Sequence, residues 1–151
     1  MPPARFRAAM NARLFCVDGT NLVRTAYGYG GPRHRAQEDE DGRRVVAIFA
    51  SLSLELEPAA DVELFFDGAF RAWAAEGAAS FRVLFTREAS ADELILDRVR
   101  ARAWSGGATV VVTADAELGR AARDEGGRWL RVAHGTPPES VARRIGGRGG
   151  A

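Results

Sequence analysis

The sequence predicts an α/β fold in which a central, mostly parallel sheet of about five strands is covered by helices on both faces. Short apolar runs typical of buried strands alternate along the chain with segments whose apolar residues recur at helical spacing. Parallel neighbours need a crossover between them, usually a helix, so this alternation favours a three-layer α/β/α arrangement. The 151 residues, of which 46% are hydrophobic and 27% charged, suit one such domain and would leave two undersized cores if divided.

Five segments have the composition of buried strands. They are residues 13–18, 62–66, 81–86, 109–113 and 129–132. Helices are predicted over 20–27, from Val45 to the residues before Pro58, from the capping box of Ser90 and Glu93 to about Trp104, from about Asp115 to Gly126, and after Pro137. Residues 28–42 mix glycine, proline and acids, which predicts a mobile loop.

The ends of the chain predict a simple domain organisation. Residues 1–12 are expected to be a flexible lead-in, residues 13–145 the folded domain, and residues 146–151 a disordered tail of glycine and arginine. No apolar run approaches the roughly 18 residues that a membrane span needs. The single cysteine, Cys16, lies in a buried strand pattern, as expected in a reducing compartment. We therefore expect a cytoplasmic protein that does not enter membranes.

The basic residues restrict the chemistry, because all 21 of them are arginine. A Walker-A loop and a Schiff base each need a lysine, so both are excluded. The glycines of 28–31 follow a predicted helix rather than a strand, so they do not suit a dinucleotide. No nucleotide cofactor is expected.

Four aspartates lie where predicted strands end or helices begin. Asp18 and Asp67 close two strands, Asp115 follows the fourth, and Asp92 lies in the first turn of a helix. Singly, each suits a turn or a helix N-terminus. Together at the carboxyl edge of a parallel sheet, they would repel one another unless a cation neutralised them. Oxygen ligands without histidine or cysteine favour Mg²⁺ or Mn²⁺, whose usual work is phosphodiester chemistry.

Four motifs in order resemble one family. Residues 17–22 (VDGTNL) resemble the VDGYN motif that opens NYN domains, and the likeness to the YacP-like branch continues at 66–67 (FD), 85–92 (FTREASAD) and 112–115 (VTAD). NYN domains are relatives of the PIN-domain ribonucleases. The likeness covers roughly residues 13–133. Thr20 replaces the common tyrosine and Arg87 replaces lysine.

The resemblance implies a PIN-like fold and a metal-dependent endoribonuclease that hydrolyses RNA, with ribosome association as one setting. It implies Asp18, Asp92 and Asp115 as catalytic, metal-binding acids and Asp67 as a further acid at the metal. Asn21 and Thr113 would line the site, and Arg87 would contact substrate. The alternative function is a non-catalytic PIN-like module that binds RNA or docks on the ribosome.

Two further interpretations concern other residues. Arg33 and Arg35 either hold RNA phosphates beside the metal or belong to a solvated loop whose opposite charges pair. Residues 15–20 also resemble the D-x-D-G-T motif of haloacid-dehalogenase phosphatases, but Cys16 stands where that family has its nucleophilic aspartate. The lysine of those enzymes is absent too, which disfavours that chemistry.

Overall fold

The structure, a computed structural model, describes residues 13–27 and 35–147 of the chain. Its strands are β1 (Arg13–Asp18), β2 (Ala60–Phe66), β3 (Arg82–Phe85), β4 (Thr109–Thr113) and β5 (Arg128–Arg131). Its helices are α1 (Gly19–Tyr27), α2 (Arg35–Leu56), α3 (Ala91–Trp104), α4 (Ala116–Asp124) and α5 (Pro138–Ile145). The expected lead-in, and the tail beyond Gly147, lie outside the described residues.

All five strands are parallel and follow the order β3-β2-β1-β4-β5. Helices α1, α2 and α5 pack together on one face, and α3 and α4 cover the other. The strands are apolar on both sides because both faces are covered: in β1, Phe15 and Val17 join one core, while Leu14 and Cys16 join the other. The predicted three-layer α/β/α class is confirmed. The order of strands reverses between β1 and β4, which is where ligands bind in such sheets.

Helix α2 begins earlier than the sequence pattern predicts. Residues 35–42 are helical, so the expected loop over 28–42 is wrong for its second half. The amide of Gln37 donates to the Asp41 carboxylate one turn later (3.1 Å), and the Trp73 indole donates to Asp39 (3.1 Å). A β-carbon on Gly42 would lie 2.4 Å from the Trp73 ring, so this glycine allows a close approach rather than a loop.

The connection from β2 to β3 contains no helix, so the predicted strict alternation is wrong at this point. Residues 67–81 cross over as an irregular segment whose apolar anchor is Trp73, 7% exposed. The Trp73 ring packs edge-on against Phe66 at 5.1 Å between centroids. A buried indole therefore fills space that a crossover helix usually covers, and it leaves this segment free to shape the carboxyl edge of the sheet.

Helix α3 is fixed to the sheet by a charged pair that the sequence pattern did not reveal. Arg98 donates two hydrogen bonds to the buried carboxylate of Glu63 in β2, at 2.9 and 3.0 Å. The bidentate contact sets the rotation of α3, and with it the position of Asp92 in the first turn. No helix among the described residues is long and apolar enough to cross a membrane.

Candidate active site

The four predicted aspartates all lie at the carboxyl edge of the sheet. Asp18 is the last residue of β1, Asp67 follows β2 directly, and Asp92 is in the first turn of α3. Asp115 follows β4 and is the N-cap of α4. We call these four residues the aspartate rim. Its members come from four separate elements, so the parallel sheet is what assembles them.

Asp18 is the most buried member, with 4% of its surface exposed. One carboxylate oxygen accepts from the backbone N–H of Asn21 (3.2 Å), and the other accepts from the Thr113 hydroxyl (3.3 Å). Burial raises the pKa of Asp18 to about 7 against the opposing effect of the Asn21 N–H, and the charges of Asp92 and Asp67 raise it further. Asp18 thus has few protein donors and two negative neighbours.

Asn21 and Thr113 join the ends of β1 and β4. The side-chain oxygen of Asn21 accepts from the Ala114 N–H at 2.8 Å. The Thr113 hydroxyl donates to Asp18 and accepts from the Asp115 N–H at 3.1 Å. Both side chains therefore lie beside the aspartate rim, and their hydrogen bonds set the relative positions of the two strand ends.

Asp67 is held from three directions. Its N–H donates to the Thr20 hydroxyl (2.7 Å), its side-chain Oδ1 accepts from the Ala91 N–H at the start of α3 (2.7 Å), and its carbonyl accepts from Arg71 (2.8 Å). Thr20, which stands where the NYN motif usually has tyrosine, thus has a local role here. A threonine hydroxyl is short enough to receive the Asp67 N–H directly.

Asp92 and Asp115 differ in how their carboxylates are used. Partial burial raises the pKa of Asp92, and the negative charges of Asp115 and Asp67 raise it further. Asp115 accepts from the N–H groups of Glu117 and Leu118, at 2.9 and 3.3 Å, through the same Oδ1. Asp115 therefore acts as a helix cap, as its position alone would suggest.

The donor atoms of the aspartate rim suit a divalent cation, but the side chains are not close enough together to form a complete metal site. The donors are carboxylate oxygens, with no histidine or thiolate; burial raises the pKa values of Asp18 and Asp92, and the charges of other rim residues raise them further. Across residues 13–27 and 35–147, however, no three Asp, Glu, His or Cys side chains are grouped closely enough to hold a metal ion as they stand. The rim carboxylates would have to turn toward a shared cation.

The predicted arginines are only partly described. Arg33 and the side chain of Arg35 lie outside the described residues. Arg87 is exposed in the turn between β3 and α3, where its φ of 60° is left-handed and its N–H donates to the Gly68 carbonyl (2.8 Å). It therefore lies at the same edge of the sheet as Asp67.

Sequence patterns did not reveal the walls of the cleft beside the rim. A cleft of about 810 Å³ opens next to Asp67, and its walls include Thr20, Phe70, Arg71 and Trp73. Three of these four residues belong to or border the irregular 67–81 connection. That segment has no periodicity and no motif, so no signal in the sequence indicates these walls.

Comparison with known proteins places the fold. No protein-family model matches the chain, and no curated protein does. Among solved structures, the chain is similar to a mutant form of Rae1 (YacP) from Bacillus subtilis. The two share 21% sequence identity with a TM-score of 0.59, over 90% of this chain and 78% of that one. The chain is therefore structurally related to the YacP-like fold.

Proposed function

We propose that the protein is a YacP-like NYN-domain endoribonuclease that hydrolyses RNA with Mg²⁺ or Mn²⁺ at the aspartate rim. The observation that carries the proposal is the gathering of four aspartates, from four elements, at the carboxyl edge of one parallel sheet. Burial raises the pKa values of Asp18 and Asp92, and the charges of neighbouring rim residues raise them further. Such an arrangement is destabilising by itself and becomes favourable around a cation. The sequence motifs and the structural relation to Rae1 support the family.

Each residue has a defined part in this proposal. Asp18, Asp92 and Asp115 would hold the cation, and Asp67 would lie at its edge. A bound divalent ion would activate water and stabilise the charge that develops on the phosphodiester. Asn21 and Thr113 hold the ends of β1 and β4, and with them Asp18 and Asp115, in place through their hydrogen bonds.

The substrate contacts are also proposals. Arg87 would contact RNA phosphates at the edge of the rim, together with Arg33 and Arg35. RNA, free or on the ribosome, would be the partner, and the cytoplasm the setting.

The helix that carries Asp92 offers a matched control. Asp97 lies on the same helix, but it is 68% exposed and ion-paired with Arg100 at 3.1 Å. Asp92→Asn should slow cleavage of single-stranded RNA in Mn²⁺ by about a hundredfold or more, because it removes a negative charge that holds the metal. Asp97→Asn should stay within about twofold, since its charge is paired away from the rim. Circular dichroism would verify that both variants fold. Wild-type cleavage by Asp92→Asn would rule the mechanism out.

A second function, a non-catalytic RNA-binding module, is favoured by two observations. In the described part of the chain no three acids are grouped to hold an ion, and Asp115 is engaged as a helix cap. Thermal unfolding in Mn²⁺ and in chelator distinguishes the two functions. Metal at a hundredfold excess over its Kd stabilises by about 2.7 kcal/mol, which would raise Tm by several degrees. An unchanged Tm, with RNA binding equal in chelator, would identify the binding module.

A further inference from the structure

Phe70 is an exposed aromatic side chain beside the aspartate rim. It is 67% exposed, although its ring packs against Phe85 in a T-shaped contact at 5.5 Å between centroids. It lies three residues after Asp67, and both residues line the same cleft. Exposing a large apolar ring to water is unfavourable, and contact with a ligand would remove part of that exposed apolar surface.

The segment that carries Phe70 is held in place on both sides. The Arg71 guanidinium lies 4.5 Å from the centroid of the Trp73 ring and 4.9 Å from that of Phe85, and it donates to the Asp67 carbonyl. On the other side, the Gly68 N–H donates to the Thr86 hydroxyl at 3.2 Å. Phe70 is thus presented by an ordered backbone, so a ligand would not have to order this segment on binding.

Phe70 also forms a wall shared by two clefts. The first, of about 810 Å³, contains Asp67 and the polar side chains of Thr20 and Arg24. The second, of about 580 Å³, lies toward Thr86 and Arg87. Both volumes fall in the range of roughly 300–1,000 Å³ that is usual for small-ligand pockets. Two clefts that share one aromatic side chain suit a ligand made of planar groups joined by a charged backbone, such as a nucleic acid.

We propose that Phe70 stacks on a base of single-stranded RNA, with neighbouring nucleotides in the two clefts and the phosphate backbone running past the aspartate rim. The inference rests on the proposed function and specifies the form of its substrate. Bases within a duplex are stacked on one another and do not offer their faces to a side chain, whereas unpaired bases do. Arg87 in the second cleft supplies a cation for the backbone.

Binding measured in chelator separates this stacking from cleavage. The probe is a short single-stranded oligouridine that carries one 2-aminopurine, whose fluorescence is quenched when the base stacks on a ring. Wild-type protein should bind the probe and quench it. Phe70→Ala should raise Kd by about tenfold, which corresponds to about 1.4 kcal/mol, and should abolish the quenching. Phe70→Trp should keep both.

Trp104 supplies the matched control, because it is 94% exposed but ends α3 at the opposite edge of the sheet. Trp104→Ala should leave Kd and quenching unchanged. Binding of the same sequence as a duplex should not depend on Phe70. If Phe70→Ala binds and quenches like wild type, or if Trp104→Ala has the same effect as Phe70→Ala, the stacking proposal is overturned.

Cleavage in Mn²⁺ then reports on the nuclease independently. If quenching depends on Phe70 but the protein does not cleave RNA, the stacking proposal is supported and the nuclease proposal is contradicted. If Phe70→Ala cleaves RNA normally, with KM and quenching unchanged, the nuclease proposal is supported and the stacking proposal is contradicted. A wild-type protein that binds no RNA would overturn both.

Discussion

Substituting Asp18 with asparagine measures how much the free energy of unfolding falls when the buried Asp18 carboxylate is ionised. Burial raises the pKa of Asp18 from 3.8 to about 7, a shift of about three pH units. Each unit corresponds to about 1.4 kcal/mol, so the ionised carboxylate destabilises the metal-free fold by about 4 kcal/mol. Asparagine has nearly the same shape and does not ionise in this range.

The sign of the pH dependence follows from the proton count. Between about pH 4 and pH 7 the folded protein keeps a proton on Asp18 that the unfolded chain has released. The free energy of unfolding contributed by this group therefore falls as pH rises through that window, and it is constant above the folded pKa. The usual buried salt-bridged aspartate behaves in the opposite way, because its pKa is lowered on folding.

Urea unfolding at pH 4.5 and pH 8.5, in chelator, measures the effect. The free energy of unfolding of wild type, relative to that of Asp18→Asn, should fall by about 3 kcal/mol between the two pH values, because the unfolded Asp18 is already mostly ionised at pH 4.5. The other titrating groups are common to both proteins. Asp97→Asn serves as the exposed control and should show no such difference. A difference between wild type and Asp18→Asn that is flat, or that rises with pH, would refute the assignment of a raised pKa to Asp18.

Two further predictions test the surroundings of the rim. Gly42→Ala should destabilise the fold by about 1–3 kcal/mol in thermal unfolding, because its β-carbon would meet the Trp73 ring at 2.4 Å. Alanine usually stabilises a helix interior, so a more stable Gly42→Ala protein would contradict this reasoning. In a Trp73→Leu background the destabilisation should disappear. Thr20→Val should cost about 1–3 kcal/mol in urea unfolding by removing the acceptor of the Asp67 N–H, while Thr20→Ser should retain most of the stability. Equal stability of the valine and serine variants would contradict this role.

The sequence was sufficient to predict the parallel sheet and to identify the residues that form the aspartate rim. The apolar runs that end in Asp18 and Asp67 are local patterns, and the parallel arrangement alone brings strand ends to one edge. The cap of α3 was equally local, since the Ser90 hydroxyl accepts from the Glu93 N–H at 3.1 Å as the motif predicts. These features depend on residues within a few positions of one another.

The parts that were missed depend on contacts between distant segments. The first turns of α2 are rich in acids and contain Gly42, which locally favours a loop, but the Trp73 indole packs on that glycine and donates to Asp39. The orientation of the rim carboxylates is likewise set at a distance, by Ala91 for Asp67 and by Thr113 for Asp18. No spacing rule relates such pairs, so their geometry could not be read from the sequence.

The strand order also bears on when the rim can form during protein synthesis. Strand β1 pairs with both β2 and β4, and Asp18 meets the Thr113 hydroxyl across 95 positions of sequence. Since the ribosome delivers the N-terminus first, β1 emerges with one of its edges unpaired and keeps it so until β4 has been made. A chain whose synthesis stopped before β4 would lack Asp115, and its Asp18 would lack the hydrogen bond from the Thr113 hydroxyl. Any activity of the rim would therefore begin only after β4 and Asp115 have been made, and until then the growing chain would expose the unpaired edge of β1 to chaperones.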